Sequence, residues 1–265
     1  MLGSSAKMHA LATKSLGIVS VLVCCLTLKP DALNLAPPSG RMSVLPPRTL
    51  WVWERRENLG GIDPRTTAIA TLDSTLLIGR GVTVIPRRQP VIYPDRVRRI
   101  SVIRIEAPGD IAPGLEGPTA SLIVDLASND PHIAALQIDF DARRSQRPFY
   151  ARLLREVRRR MPPSLPLSMT ALASWCTYDD WLSGLPVDEA VPMFFRMEPD
   201  RRFASRHMPQ FRIRERLCAN SIGVSTREPY DDVLTGKRVY IFPDRGWRQD
   251  LHLISETNLT QRTQP

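Results

Sequence analysis

The stretch Ile133-Ala134-Ala135-Leu136-Gln137-Ile138-Asp139-Phe140-Asp141 decides how this chain is read. An apolar run of strand character ends in two carboxylates placed two residues apart. Side chains alternate along a strand, so Gln137, Asp139 and Asp141 share one face while Leu136, Ile138 and Phe140 share the other. A strand apolar on one face and acidic at its C-terminal end suits a parallel α/β barrel, where strand ends gather the chemistry.

Working outward from this strand, the chain alternates. Leu50–Trp53 reads as a first strand, followed by a helix opening at Asp63-Pro64, a good N-cap and first-turn pair. Gly81–Ile85 is a second strand, Arg99–Glu106 a third with its helix over Pro118–Ala127, and Ala134–Asp141 the fourth. Ser145 caps an amphipathic helix whose apolar stripe is Phe149, Leu153, Leu154 and Val157, and which stops at Pro162-Pro163. Leu165–Leu172 is a fifth strand with a short helix around Tyr178–Leu182, Ala190–Arg196 a sixth with a helix over Gln210–Cys218. Ser221–Thr226 and Arg238–Phe242 complete the set, and Trp247–Ile254 closes it as a helix. Eight strands in such alternation predict an α/β fold, a (β/α)8 TIM-type barrel in one domain over residues 49–256. A doubly wound open sheet is the competitor. It would place a glycine-rich loop after the first strand, where this chain has Glu54-Arg55-Arg56-Glu57.

Ahead of the barrel, Lys7 and Lys14 precede the apolar run Leu16–Leu28, which is shorter than the about 20 residues a spanning helix needs. Residues 1–33 therefore read as a signal peptide or signal-anchor, 34–48 as a proline-rich linker, and 257–265 as a polar tail. The expectation is an exported protein, periplasmic or membrane-anchored facing the periplasm, with a possible membrane tether through that apolar segment. In such a compartment Cys176 and Cys218 either pair or remain separate buried thiols.

The formal charge of +9 over 265 residues resembles a nucleic-acid signal until it is sorted. Lysine occurs only at positions 7, 14, 29 and 237, and arginine is scattered from end to end. The densest cluster, Arg152 to Arg160, lies on a helix and fits a solvated face. No nucleic-acid partner is expected. No Cys/His metal spacing or phosphate loop is present, so neither metal nor cofactor is expected.

In the barrel reading the strand ends deliver Trp53 and Glu54, Arg104 and Glu106, Asp139 and Asp141, Thr170 and then Trp175, and Phe195 and Arg196. Carboxylates, arginines and aromatics around one rim are the ingredients of a carbohydrate site: rings stack on sugar faces and carboxylates bind hydroxyls or move protons. Asp139, Asp141 and Glu106 are the catalytic candidates; Trp53, Glu54, Arg104, Thr170, Trp175, Phe195 and Arg196 are the substrate-binding ones. The same groups also fit a structural network in which Arg104 neutralises its acidic neighbours.

At these residues a resemblance enters. Trp51-Val52-Trp53-Glu54-Arg55, Val102-Ile103-Arg104-Ile105-Glu106, Leu136–Asp141, Ser168–Trp175 and Val191–Met197 together resemble an uncharacterised bacterial family, domain of unknown function 3142. A more distant similarity is to chitinase-type glycoside hydrolases, whose barrel carries Asp-x-x-Asp-x-Asp-x-Glu on its fourth strand. Asp139 and Asp141 match the second and third acids. Leu136 replaces the first, and Arg143 replaces the proton-donating Glu. The resemblance thus implies the barrel but not substrate-assisted hydrolysis. Two functions stand open: an exported glycoside-hydrolase-like barrel acting on or binding a carbohydrate, or a non-catalytic barrel binding a cell-envelope glycan or protein.

Overall fold

The computed structural model describes residues 40–128, 130, 132–195, 213–227 and 236–256. The strands are β1 (Arg48–Val52), β2 (Glu57–Asn58), β3 (Thr67–Ile78), β4 (Val82–Pro86), β5 (Val91–Ile92), β6 (Arg99–Glu106), β7 (Ile133–Asp139), β8 (Leu167–Leu172), β9 (Glu189–Met193), β10 (Ser221–Ser225) and β11 (Arg238–Phe242). The helices are α1 (Glu116–Ser128), α2 (Arg147–Arg160), α3 (Ala173–Thr177) and α4 (Trp247–Glu256).

Eight parallel strands close a barrel in the order β1, β3, β6, β7, β8, β9, β10, β11. Closure lies at β1, where Leu50 stands opposite Ile69 of β3 on one side and Ile241 of β11 on the other. A closed ring leaves no unpaired edge, and strands buried on both faces are near-continuously apolar. Thr67–Ile78 and Ser221–Ser225 have that character.

Two sequence expectations change. Asp63-Pro64 opens no helix; the Asp63 carbonyl accepts from the amides of Thr66 and Thr67 in a turn that feeds β3, a strand the sequence reading took for helix. Gly81–Ile85 corresponds to β4, which pairs antiparallel with the outer half of β3, from Ile78 opposite Val82 to Ser74 opposite Pro86, and lies outside the ring. The two errors offset, and the count of eight stands. The crossovers from β1 to β3 and from β3 to β6 carry no helix, and β2 and β5 pair with each other beside them. The helical turn after β8 is Ala173–Thr177, ahead of its expected place. In the expected helix Gln210–Cys218, positions 210–212 lie outside the described residues and Arg216–Cys218 is a 3-10 turn.

The interior holds Trp51, Ala68, Ala70, Ile100, Val102, Ala135, Val191, Tyr240 and Phe242. Alanines at three of these places leave room for the large rings. Gly223 serves the same end: a Cβ there would lie 3.2 Å from the Phe242 ring and 3.4 Å from the Pro192 carbonyl oxygen. Outside, Ile103, Leu136 and Ile138 pack on α1 and α2, through Ile123, Leu153, Leu154 and Val157. Leu50, Ile69, Ile222 and Ile241 pack on Trp247 of α4. The amino-terminal side of the barrel is closed by a 3-10 turn, Arg41–Val44, whose Met42 and following Leu45 are buried in the interior cluster. Cys176 and Cys218 form a disulfide with a Cα separation of 5.9 Å, joining α3 to the turn before β10.

Candidate active site

Alternation along β7 turns Gln137 and Asp139 into the barrel and Leu136 and Ile138 out to the helices, as the sequence pattern requires. Gln137 accepts from the Trp51 indole N–H at 2.9 Å and donates to the Ser168 hydroxyl at 3.0 Å. Nearer the amino-terminal end, Glu189 receives Arg238 Nη1 at 2.6 Å and the Tyr240 hydroxyl at 2.8 Å, and Arg238 Nη2 donates to the Met42 carbonyl at 2.6 Å. Burial pushes the Glu189 carboxyl up, against the pull of Arg238 and Tyr240. These hydrogen bonds tie the buried groups to one another and fix the interior, although Arg238 Nε is left without a partner.

At the carboxyl-terminal end lies the candidate site. Asp139, the last residue of β7, is 3% exposed. Its two oxygens accept from Arg104 Nη1 and from the Thr170 hydroxyl, both at 2.7 Å. The register sets this arrangement: Arg104 stands opposite Asp139 across β6 and β7, and Thr170 lies two residues beyond Ser168, which faces Gln137. Arg104 Nε also donates to Glu106 at 3.2 Å. Burial works against the Arg104 charge, but Asp139, Glu106 and Asp141 outweigh it and hold the guanidinium above its ordinary value. Asp141 lies just past the strand end, exposed to solvent. Desolvation against the rim and then the Asp139 carboxylate raise its carboxyl, and Arg104 opposes them.

Across the rim is an aromatic group. Trp53 lies 4.3 Å from Trp51 and 6.1 Å from Phe242 between ring centroids, and Phe195 lies 4.6 Å from Phe242. Phe242 is buried, while Trp53 and Phe195 keep part of their surface in solvent. The mouth thus has a charged half on β6, β7 and β8 and an aromatic half contributed by β1, β11 and the end of β9.

Other expected site residues have different surroundings. Trp175 is 1% exposed and packs edge-on against Trp181 at 4.8 Å, on the helix side of the barrel, with Arg147 over both rings. It turns away because α3 begins directly after β8, so it lines no cleft. Glu54 anchors a loop: its Oε1 accepts the backbone amides of Arg88 and Gln89, both at 2.9 Å. Arg143 is also committed to backbone, donating to the carbonyls of Ala107 and Gly109. Arg196 lies outside the described residues.

Sequence reasoning missed Ser74 and Thr75 of β3, which border a cavity of about 270 Å³ beside the mouth. The signal for them was the strand itself, and the Asp63-Pro64 helix reading concealed it. Among the described residues no group of three or more His, Cys, Asp or Glu is placed to hold a metal ion.

A search of curated proteins finds no match to the chain. Residues 99–193, the segment from β6 to β9 that carries Arg104, Glu106, Asp139, Asp141 and Thr170, match the family described as Domain of unknown function (DUF3142).

Proposed function

We propose that this barrel binds a carbohydrate at its carboxyl-terminal mouth. The observation that carries the reading is the division of the mouth into an aromatic half and a charged half. Trp53 and Phe195 offer ring faces for the apolar faces of a sugar, while Glu106 and Asp141 offer acceptors for its hydroxyls. Arg104 holds Glu106 in place by a hydrogen bond, and Asp139 with Thr170 sets Arg104. Asp139 is then a positioning residue, since both of its oxygens are already engaged below the surface.

Glycoside hydrolysis is the second reading, favoured by the raised Asp141 carboxyl beside the arginine-bound Glu106. In it Asp141 supplies the proton to the leaving oxygen and Glu106 serves as the base or nucleophile. A disulfide within the barrel supports a place in an oxidising compartment, in keeping with export. Among the described residues no helix is long and apolar enough to cross a membrane.

Calorimetric titration of the full chain with a panel of soluble oligosaccharides tests both readings. Saturable binding of one class is expected, weakened at least about tenfold by Trp53→Ala, from the loss of one stacked ring. Absence of binding across the panel overturns the proposal. Release of reducing ends that Asp141→Asn abolishes, with binding kept, selects hydrolysis.

A further inference from the structure

Trp53 stands where its strand has already ended. β1 pairs with β3 as far as Val52 opposite Thr71, and residues 53–56 belong to no strand. Backbone carbonyls in such a stretch lose their ladder partners and need others. The indole is nevertheless closely placed. It lies 4.3 Å from the Trp51 ring and 6.1 Å from Phe242 between centroids, with part of its surface in solvent.

The missing partners come from Arg87, the residue that follows the end of β4 at Pro86. Its Nη1 donates to the Trp53 carbonyl at 2.9 Å and to the Leu72 carbonyl at 3.0 Å. Its Nη2 donates to the Arg55 carbonyl at 2.5 Å, its Nε to the Gln89 carbonyl at 2.7 Å, and its backbone amide to the Asp73 carbonyl at 2.8 Å. A guanidinium carries five N–H donors in one plane and no acceptor, so a single side chain can grip several carbonyls at set angles. Here it joins the chain leaving β1 to β3 at the irregularity between Leu72 and Ser74. Glu54 returns the tie, since its Oε1 accepts the amides of Arg88 and Gln89 and its Oε2 lies 3.9 Å from Arg87 Nη1.

This grip is charged and largely out of water, with the Arg87 side chain 11% exposed. Its charge draws the Asp73 carboxyl down, against the effect of burial. The ring of strands closes without it, because β1 is already paired with both β3 and β11 between Arg48 and Val52. What the Arg87 bonds fix is the direction in which the chain leaves β1, and with it the plane of the Trp53 ring.

We infer that Arg87 is a positioning residue for the mouth, holding the Trp53 ring in the orientation on which a sugar stacks and acting through that ring alone. The inference rests on the carbohydrate reading of the mouth. It adds the reason why a tryptophan beyond the end of its strand serves as a rigid platform: the cost of ordering it is met before a ligand arrives.

The test reads the platform and the binding separately. Two indoles as close as Trp51 and Trp53 couple their electronic transitions, and circular dichroism of the full chain shows that coupling as a signal removed by Trp53→Phe. Arg87→Ala is expected to lose the same signal while unfolding stays cooperative. Arg87→Lys, which keeps the charge but not the fork of donors, is expected to fall between the two. Calorimetric titration with β-1,4-linked glucose and N-acetylglucosamine oligomers then gives affinities. Trp53→Ala and Arg87→Ala should each weaken binding about tenfold, and the double variant about tenfold as well, because both remove one platform. A signal unchanged in Arg87→Ala overturns the inference and leaves the mouth reading standing. So does a double variant weakened about a hundredfold, since the two residues would then act independently. If Arg87→Ala does not fold, Arg87→Lys is read in its place, and parental signal and affinity overturn the inference. Absence of binding by every oligomer overturns the mouth reading, and this role with it, whatever the signal shows.

Discussion

Asp73 shows how one residue carries the electrostatic cost of burial at the rim. It stands at the β3 irregularity, where Arg87, Arg99, Asp130 and Tyr93 surround it. Burial pushes its carboxyl up to about 6, against the Ser101 hydrogen bond and the charges of Arg87 and Arg99, with Asp130 adding to the rise. The folded state therefore keeps a proton that the unfolded chain gives up near pH 4. Between about pH 4 and 6 the folded form binds more protons, so this residue's contribution to stability falls as pH rises through that window and then levels off. Asp73→Asn removes the penalty. Chemical denaturation should find the variant equal to the parent near pH 3.5 and more stable by about 3 kcal/mol at pH 7.5. A difference that shrinks as pH rises would contradict the assignment. At the same scale, Asp139 was legible from strand parity alone, and its partner Thr170 from parity along β8. Trp175 was not, because nothing in Ser174-Trp175-Cys176 announces that a helical turn starts at once and folds the indole beneath the rim.

At the scale of elements, α2 is the clearest case of pattern becoming structure. Phe149, Tyr150, Leu153, Leu154 and Val157 fall on one face and are buried, Pro148 opens the helix, and Arg158, Arg159 and Arg160 meet the negative end of its dipole. Arg158 also donates to the carbonyls of Pro186 and Leu165 and pairs with Asp188, which ties the helix end to the β8–β9 connection. Leu153→Ala should cost about 2–5 kcal/mol, as expected for a fully buried leucine, and a urea midpoint within error of the parent would show the face to be loosely packed. β3 is the opposite case. Its run Ala68-Ile69-Ala70-Thr71-Leu72 is apolar on both faces, so it lacks the period-two alternation that marks a half-buried strand, and the preceding Asp-Pro pair imitates a helix start. Strands buried on both sides give up the very signal by which strands are found.

For the whole molecule, closure of the ring explains why the architecture was readable through local mistakes. The number of strands and their parallel order constrain the barrel more than the identity of any one crossover, so a missed strand and a misplaced one left the fold unchanged. The site was legible where it rests on strand parity. It was hidden where it rests on loops, as at Glu54, whose partners Arg88 and Gln89 lie more than thirty residues away. The disulfide adds a constraint of similar reach, spanning a sequence separation of 42 residues across the β9 region. Replacing both cysteines by alanine should lower stability by about 2–4 kcal/mol, measured by denaturant titration without reductant. Dithiothreitol should destabilise the parent and leave the variant unmoved. Equal sensitivity of the two would show that the link is not formed.

The turn that buries Met42 and Leu45 works as a stopper, and it also fixes the way the polypeptide enters the fold. The chain comes in through the floor, below the Arg238 guanidinium that grips the Met42 carbonyl. Anything fastened ahead of Gly40 therefore pulls on the sealed pole of the cylinder. The opposite pole, where Arg104, Asp139 and Trp53 lie at the strand ends, is left clear of that entry point.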